Sequence, residues 1–444
     1  MSKIIIIGGN AAGLSAAAKH RRIFKESEIV VYEKGGYLSY ASCGLPYFVT
    51  VAGTTPDSLI EREKEQFEAE GIRPHLRHEV LAVMPQKKKV LVKNLVTGAE
   101  FEDAYDKLFI STGSYSMKPQ VPGTDLAGVF TFKSIDDGIA VKNWVSRPET
   151  GEIVIIGGGY IGFEMAEALA GIGKKVRVIH RSERLLKTFD PEIAALARQE
   201  LERLGVEINT NENIRAIAGD KKAEQVITDK GAYKADMVLL AVGVRPATSF
   251  LKDSGIALGK NGAIVIDRQM CTNLPDIYAA GDCAEIYHMV KKANDYIPLA
   301  TTANKCGRIA GENLGGRQIE FPGTLGSAAI KVGRLELART GLSEAEAASL
   351  GFDYKTTTIT AYNKPTYYPG SYEIQLKMIY EKGTKRVLGA QGAGNSGVVL
   401  RIDAIAAAIS GGLTAEQLGY QDFCYAPPFA TVWDPVNILA NTAK

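Results

Sequence analysis

Ile153-Val154-Ile155-Ile156-Gly157-Gly158-Gly159-Tyr160-Ile161-Gly162 runs from an apolar strand through a glycine turn into the start of a helix. This stretch decides the fold class. A buried parallel strand that turns so tightly into a helix aims the helix's free N–H groups at a pyrophosphate, and only small residues let the backbone approach it. The spacing Gly157-x-Gly159-x-x-Gly162 is the full dinucleotide-binding pattern. Much earlier, Ile4-Ile5-Ile6-Ile7-Gly8-Gly9-Asn10-Ala11-Ala12-Gly13 repeats it, with Asn10 at the usual middle glycine, so that turn relies on Gly8, Ala12 and Gly13. Alone, the first loop reads equally as a plain strand-to-helix turn; repetition makes the pair two nucleotide sites in an α/β chain.

The residue closing each second strand separates the two nucleotides. In the first unit Glu28-Ile29-Val30-Val31-Tyr32-Glu33 ends on an acid, with Lys34 next, about 20 residues past the loop, where a carboxylate accepts hydrogen bonds from a ribose 2′-hydroxyl. That suits FAD or NAD. In the second unit Lys175-Val176-Arg177-Val178-Ile179 runs into His180 and Arg181, with Arg184 and Lys187 soon after. A cationic pocket there favours a 2′-phosphate, hence NADPH over NADH, the alternative being a solvated basic turn.

At 444 residues the chain predicts two or three domains, and 45% apolar residues with 46 glycines fits turn-rich α/β units. A formal net charge of +2 makes no electrostatic case for nucleic acid or a membrane as partner. No apolar run approaches a membrane span, and Ile4 to Ile7 lead into the glycine loop instead of a cleavage site, so a cytoplasmic location is expected. Cys43, Cys271, Cys283, Cys306 and Cys424 include no C-x-x-C pair and no zinc-type spacing, so no metal site is expected. Four of them read as small buried hydrophobes. Cys43 differs, because a helix beginning at the following Gly44-Leu45-Pro46-Tyr47 would favour a nucleophilic thiolate.

The two glycine loops, Ser39-Tyr40-Ala41-Ser42-Cys43-Gly44-Leu45-Pro46-Tyr47, Ser111-Thr112-Gly113, Gly243-Val244-Arg245-Pro246, Tyr278-Ala279-Ala280-Gly281-Asp282 and Tyr425-Ala426-Pro427-Pro428-Phe429 together resemble the pyridine nucleotide-disulfide oxidoreductases, nearly end to end. Within them the chain is similar to the single-cysteine coenzyme A disulfide reductases, relatives of NADH oxidases, peroxidases and persulfide reductases. The resemblance implies two Rossmann-like domains and a C-terminal α+β dimerisation domain. FAD would be held by residues 1–115 and 240–322, NAD(P) by 150–239, and the homodimer interface by 325–444. Strand-like alternation from Glu373 to Tyr380 and a helix-like stretch from Val398 to Ile409 fit that third unit.

The same resemblance assigns roles. Thr112, Gly113, Gly243, Gly281, Asp282, Leu299 and Ala300 would line the flavin, Asp282 against the ribityl chain, although Asp282 also reads as a helix N-cap. Tyr160, beside Ile161, would cover the nicotinamide pocket until NADPH, or more weakly NADH, enters. With one thiol instead of two, the partner sulfur comes from coenzyme A, held as a Cys43 mixed disulfide, and Cys43 then attacks an incoming disulfide or persulfide. Tyr367 and Tyr425 of a second subunit, with Tyr368 as the fallback in register, would supply the proton; packing at a dimer interface is the plainer role. Lys19, Arg22, Ser39 and Ser42 would receive coenzyme A, although Ser42 stands where the family has asparagine. Cys424 is a lesser candidate for a resolving thiol. The alternative function is an NADH oxidase or peroxidase that cycles Cys43 through sulfenic acid, but those relatives carry Asn-His-Ala-Gly where this chain has Asn10-Ala11-Ala12-Gly13. A redox-sensing flavoprotein without turnover would have no use for the second nucleotide loop.

Overall fold

A computed structural model describes residues 2–444. Four consecutive isoleucines, all buried, make up most of the strand Lys3–Ile7, which is paired in parallel on either side. Ile4 lies level with Ile29 on one side and with Lys107 on the other. The completed five-stranded sheet runs Ile277–Ala279, Lys107–Ile110, Lys3–Ile7, Glu28–Glu33, Ile72–Leu76, so two stretches far apart in sequence build one layer.

The helix Ala11–Ile23 covers this sheet and packs on the helix Ala300–Asn313. Glycines set that approach: a Cβ on Gly307 would lie 2.3 Å from the Ala12 carbonyl oxygen, and one on Gly311 would lie 2.5 Å from that of Ala16. His20 is buried in the seam, with Nδ1 2.8 Å from the Gly311 carbonyl and Nε2 2.9 Å from Ser27.

The second glycine loop follows the strand Glu152–Ile156 in another five-stranded parallel sheet, which includes Lys175–Ile179, Glu207–Asn209 and Met237–Leu240. Its edge strand, Val129–Thr131, lies outside residues 150–239 yet pairs in parallel with Met237–Leu240. The C-terminal region is an antiparallel five-stranded sheet, with Val387–Gly394 central between Leu335–Gly341 and Glu373–Glu381, and the helix Val398–Ser410 on one face. Among the described residues no helix is long and apolar enough to cross a membrane.

Candidate active site

Both glycine loops are built for close approach. Gly8 has φ +106° and Gly157 φ +122°, and a Cβ on either would strike backbone, Ser111 at 2.3 Å and Ala241 at 2.2 Å. Gly13 and Gly162 are equally closed, with the carbonyls of Gly8 and Gly157 at 1.9 and 2.1 Å from a built Cβ. A Cβ built on Gly159 would meet nothing within 4 Å beyond its own chain neighbours, which leaves the helix N-terminus open where a pyrophosphate would sit.

The strand-end residues play matching parts. Glu33 accepts the Gly9 N–H at 2.7 Å and the Gly35 N–H at 2.6 Å. In the second unit His180 Nδ1 accepts the Gly158 N–H at 3.1 Å, which places the donated proton on Nε2, 3.0 Å from Ser182 Oγ. Burial, followed by the charge of Lys187, lowers the His180 pKa. His180 is thus a neutral acceptor steadying the loop, and the positive charge nearby belongs to the exposed Arg181 and Lys187.

Cys43 lies in the short turn Ser42–Gly44, just before the helix Leu45–Thr50, and is exposed. Backbone bonds from Ala41 to Leu59 and from Glu61 to Ser39, both 2.8 Å, hold this segment across the first loop, where Ser39 N–H meets the Gly9 carbonyl. Two cavities open on either side of the thiol, and Cys43, Ser42, Tyr40, Ala11 and Ala300 line both.

The first, of about 270 Å³, contains Gly8, Ala12, Glu33, Thr112, Gly113, Gly281 and Asp282. Asp282 begins no helix; its carboxylate accepts from Lys133 Nζ at 2.8 Å and Ser114 Oγ at 3.0 Å. Leu299 caps the helix Ala300–Asn313, and Ala300 reaches the cavity. Lys34 points away, toward Glu79 at 3.4 Å. Gly243, at φ +113°, turns the chain beside Met117.

The second cavity, of about 590 Å³, is lined by Lys19, Arg22, Ser39 and Ser42, as the sequence reading expects, and also by Arg62, Asn304 and Arg308. Lys19 is drawn off by Glu312 at 2.9 Å. Arg22 and Arg308 form no ion pair among the described residues and are exposed. Sequence reasoning missed Asn304 and Arg308, although Ala300, Asn304 and Arg308 stand four apart on one helix face; no local signal marks Lys133 or Arg62.

Tyr367 and Tyr425, 75% and 47% exposed, meet each other, and desolvation and then Tyr425 raise the Tyr367 pKa. Neither lines the cavities of Cys43 in its own chain. Tyr368 is half-buried beneath the Lys364 ammonium, 5.2 Å from its ring centroid, so Tyr367 is the one presented outward. Tyr160 opens the helix Tyr160–Gly171, with its hydroxyl 3.0 Å from Thr188.

Residues 2–307 match the pyridine nucleotide-disulphide oxidoreductases, and residues 327–435 match the dimerisation domain of the same proteins. The chain belongs to this family. It is accordingly an oxidoreductase of a family that binds FAD and NAD(P)H, and its C-terminal sheet lies in the dimerisation domain.

The chain is 41% identical over 445 residues to the NAD(P)H sulfur oxidoreductase (CoA-dependent) of Pyrococcus furiosus, covering 100% of this chain and 99% of the relative. It is 40% identical to the NAD(P)H coenzyme A polysulfide/persulfide reductase of Pyrococcus horikoshii, with 100% and 98% covered. Among solved structures it overlays the reduced Bacillus anthracis CoADR-RHD with a TM-score of 0.96 at 33% identity, covering 100% of this chain and 80% of that one. It also overlays an engineered water-forming NADPH oxidase made from the Lactobacillus brevis NADH oxidase, with a TM-score of 0.95 at 29% identity and 99% and 98% covered. That enzyme's substitutions turn a glycine to Ala and, eighteen residues on, an Asp to Ala; Arg, Ser and Arg are introduced one, two and seven positions after the Asp.

Proposed function

We propose that this family member uses NADPH, with NADH as a weaker donor, to reduce coenzyme A disulfide or a coenzyme A persulfide through Cys43. The observation that carries the reading is the place of Cys43 between a nucleotide cavity and a larger one holding two unpaired guanidinium groups, Arg22 and Arg308. Guanidinium groups match the phosphates of an ADP moiety, and the thiol at the other end meets the sulfur. The relatives named for coenzyme A support the same substrate class.

FAD, when bound, supplies the relay of two electrons from nicotinamide to sulfur. The chain's own work is to hold and trade sulfur. The Cys43 thiolate attacks RS–SR′, forming Cys43–S–SR and releasing R′S⁻. Two electrons and a proton from NADPH, with one further proton, free RSH and restore the thiol, so the sum is NADPH + H⁺ + RSSR′ giving NADP⁺ + RSH + R′SH. Tyr425 and Tyr367 of a second subunit donate hydrogen bonds to the departing thiolate. The site is thus shared across the dimer, and the working boundaries are 1–115 with 240–322, 150–239 and 325–444. Reducing conditions of the cytoplasm suit its five free cysteines.

Coenzyme choice has its own support. Counting from Gly162, His180 comes eighteen residues on, and Arg181, Ser182 and Lys187 stand one, two and seven positions beyond it. The engineered NADPH oxidase received Arg, Ser and Arg at those spacings. Arg181, Ser182 and Lys187 therefore take the 2′-phosphate, while neutral His180 sets no carboxylate against it. An oxidase or peroxidase reading is weaker, because no histidine lines either cavity among the described residues.

The test is to denature the purified enzyme without reductant, then reduce it and identify the released thiol by mass spectrometry, beside Cys43→Ser. Coenzyme A released from the wild type alone supports the reading. Cys43 recovered as free thiol or sulfenic acid, with no small thiol released, turns it toward the oxidase.

A further inference from the structure

Residues 180–190 join the strand Lys175–Ile179 to the helix Pro191–Arg203, and the second half of this loop, from Arg184 to Asp190, carries Lys187. It is gripped from two sides. On the coenzyme side the Thr188 hydroxyl donates to the Tyr160 hydroxyl at 3.0 Å, and the Phe189 and Tyr160 rings lie 6.0 Å apart. On the other side the anchors come from the dimerisation domain. Arg339 Nη1 donates to the Thr188 carbonyl at 2.8 Å, Gln391 Oε1 accepts the Asp190 N–H at 2.7 Å, and Lys377 Nζ lies 3.0 Å from the Asp190 carboxylate.

Asp190 is 1% exposed and Arg339 6%. A guanidinium is a costly filler for such a site, since well-packed apolar residues often serve as well as a buried ion pair. Arg339 is held rigidly by its second nitrogen, which donates to the Gly341 carbonyl at 2.6 Å and lies 2.9 Å from Glu346. A fixed donor on a backbone carbonyl sets the height of a loop without touching what that loop binds.

We propose that Arg339 is a coenzyme-positioning residue, through which the dimerisation domain fixes the loop that brings Lys187 to the 2′-phosphate and steadies Tyr160 at the nicotinamide pocket. The proposal rests on the reading of Lys187 and Tyr160 given above. Because only the 2′-phosphate distinguishes the coenzymes, a displaced loop lowers the preference for NADPH, whereas general loosening weakens both alike.

The experiment compares flavin-loaded Arg339→Gln, Arg339→Lys and Lys187→Ala, measuring kcat and KM for NADPH and NADH with one acceptor, the acceptor KM, and Tm. Arg339→Gln is expected to raise the NADPH KM by roughly 5- to 10-fold and lower the NADPH/NADH ratio of kcat/KM, with the acceptor KM unmoved. Arg339→Lys should recover part of the ratio. If Arg339→Gln is too unstable for kinetics, Arg339→Lys is judged by the same ratio. An unchanged ratio at Arg339 with a lowered one in Lys187→Ala overturns the proposal and leaves the loop's phosphate role standing. A ratio unchanged in every variant overturns the loop reading and the proposal with it.

Discussion

Cys43→Ser isolates the sulfur chemistry at the scale of one residue. The hydroxyl is close in size and the thiol makes no structural bond, so FAD should be retained while NADPH-driven disulfide reduction falls by at least about 10³-fold, measured as NADPH oxidation with coenzyme A disulfide present. Glu164 gives a pH test. Burial, and after it the charge of Glu167, pushes its carboxyl up to about 7 from 4.5, so the fold favours its protonated form. That contribution is whole below pH 4.5 and is lost as pH rises through about 7. Glu164→Gln should therefore leave Tm nearly unchanged at pH 4 and raise stability by on the order of 1–3 kcal/mol at pH 8. Equal Tm values for variant and wild type at pH 8 would refute the assignment. The sequence shows Cys43 plainly, because a single thiol before a helix start is a local pattern; it shows Glu167 one turn from Glu164 but is silent on the burial, the larger cause, which only the fold supplies.

Between elements, the helices Ala11–Ile23 and Ala300–Asn313 set the spacing of the whole site, since both cavities draw residues from each. A methyl group at Gly311 would force its way toward the Ala16 carbonyl. Gly311→Ala should cost about 1–3 kcal/mol by overpacking and reduce flavin content, followed by Tm and by absorbance near roughly 450 nm. Normal flavin content and Tm would show that the seam can widen freely. Apolar strand, small-residue turn and helix are all local, so both nucleotide units are legible from spacing alone. The edge strand Val129–Thr131 is not, because a three-residue strand carries no periodicity until its partner, Met237–Leu240, is beside it.

For the whole molecule, the separation of Tyr367 and Tyr425 from Cys43 within one chain leads to a complementation test. Cys43→Ser homodimers should lack activity, and Tyr367→Phe/Tyr425→Phe homodimers should be slowed by roughly 10- to 100-fold. Co-expressed and purified as tagged heterodimers, the two should recover about half the wild-type rate if each site takes its cysteine from one subunit and its tyrosines from the other. A heterodimer no faster than the slowed double tyrosine variant would place the tyrosines in the same subunit as the cysteine they serve, and a double tyrosine homodimer at the wild-type rate would place them outside the chemistry. Tyr367, Tyr420, Tyr425, Phe429 and Trp433 of the C-terminal domain are all exposed, the residue types enriched at interfaces.

Sequence by itself determined what short-range sterics dictate: two glycine loops, the acid at Glu33, the basic run after Ile179, and a lone thiol ahead of a helix. Tertiary structure alone decided which charges are free. Lys19 and Arg22 look alike one helical turn apart, yet Glu312, almost three hundred residues away, neutralises the first and leaves the second to Arg308's side of the cavity. His180 reads as a cation in the chain and becomes a neutral acceptor once half-buried against Gly158. Charge and hydrogen-bonding role depend on solvent and on neighbours, and both are set only when the sheets and helices close around the site.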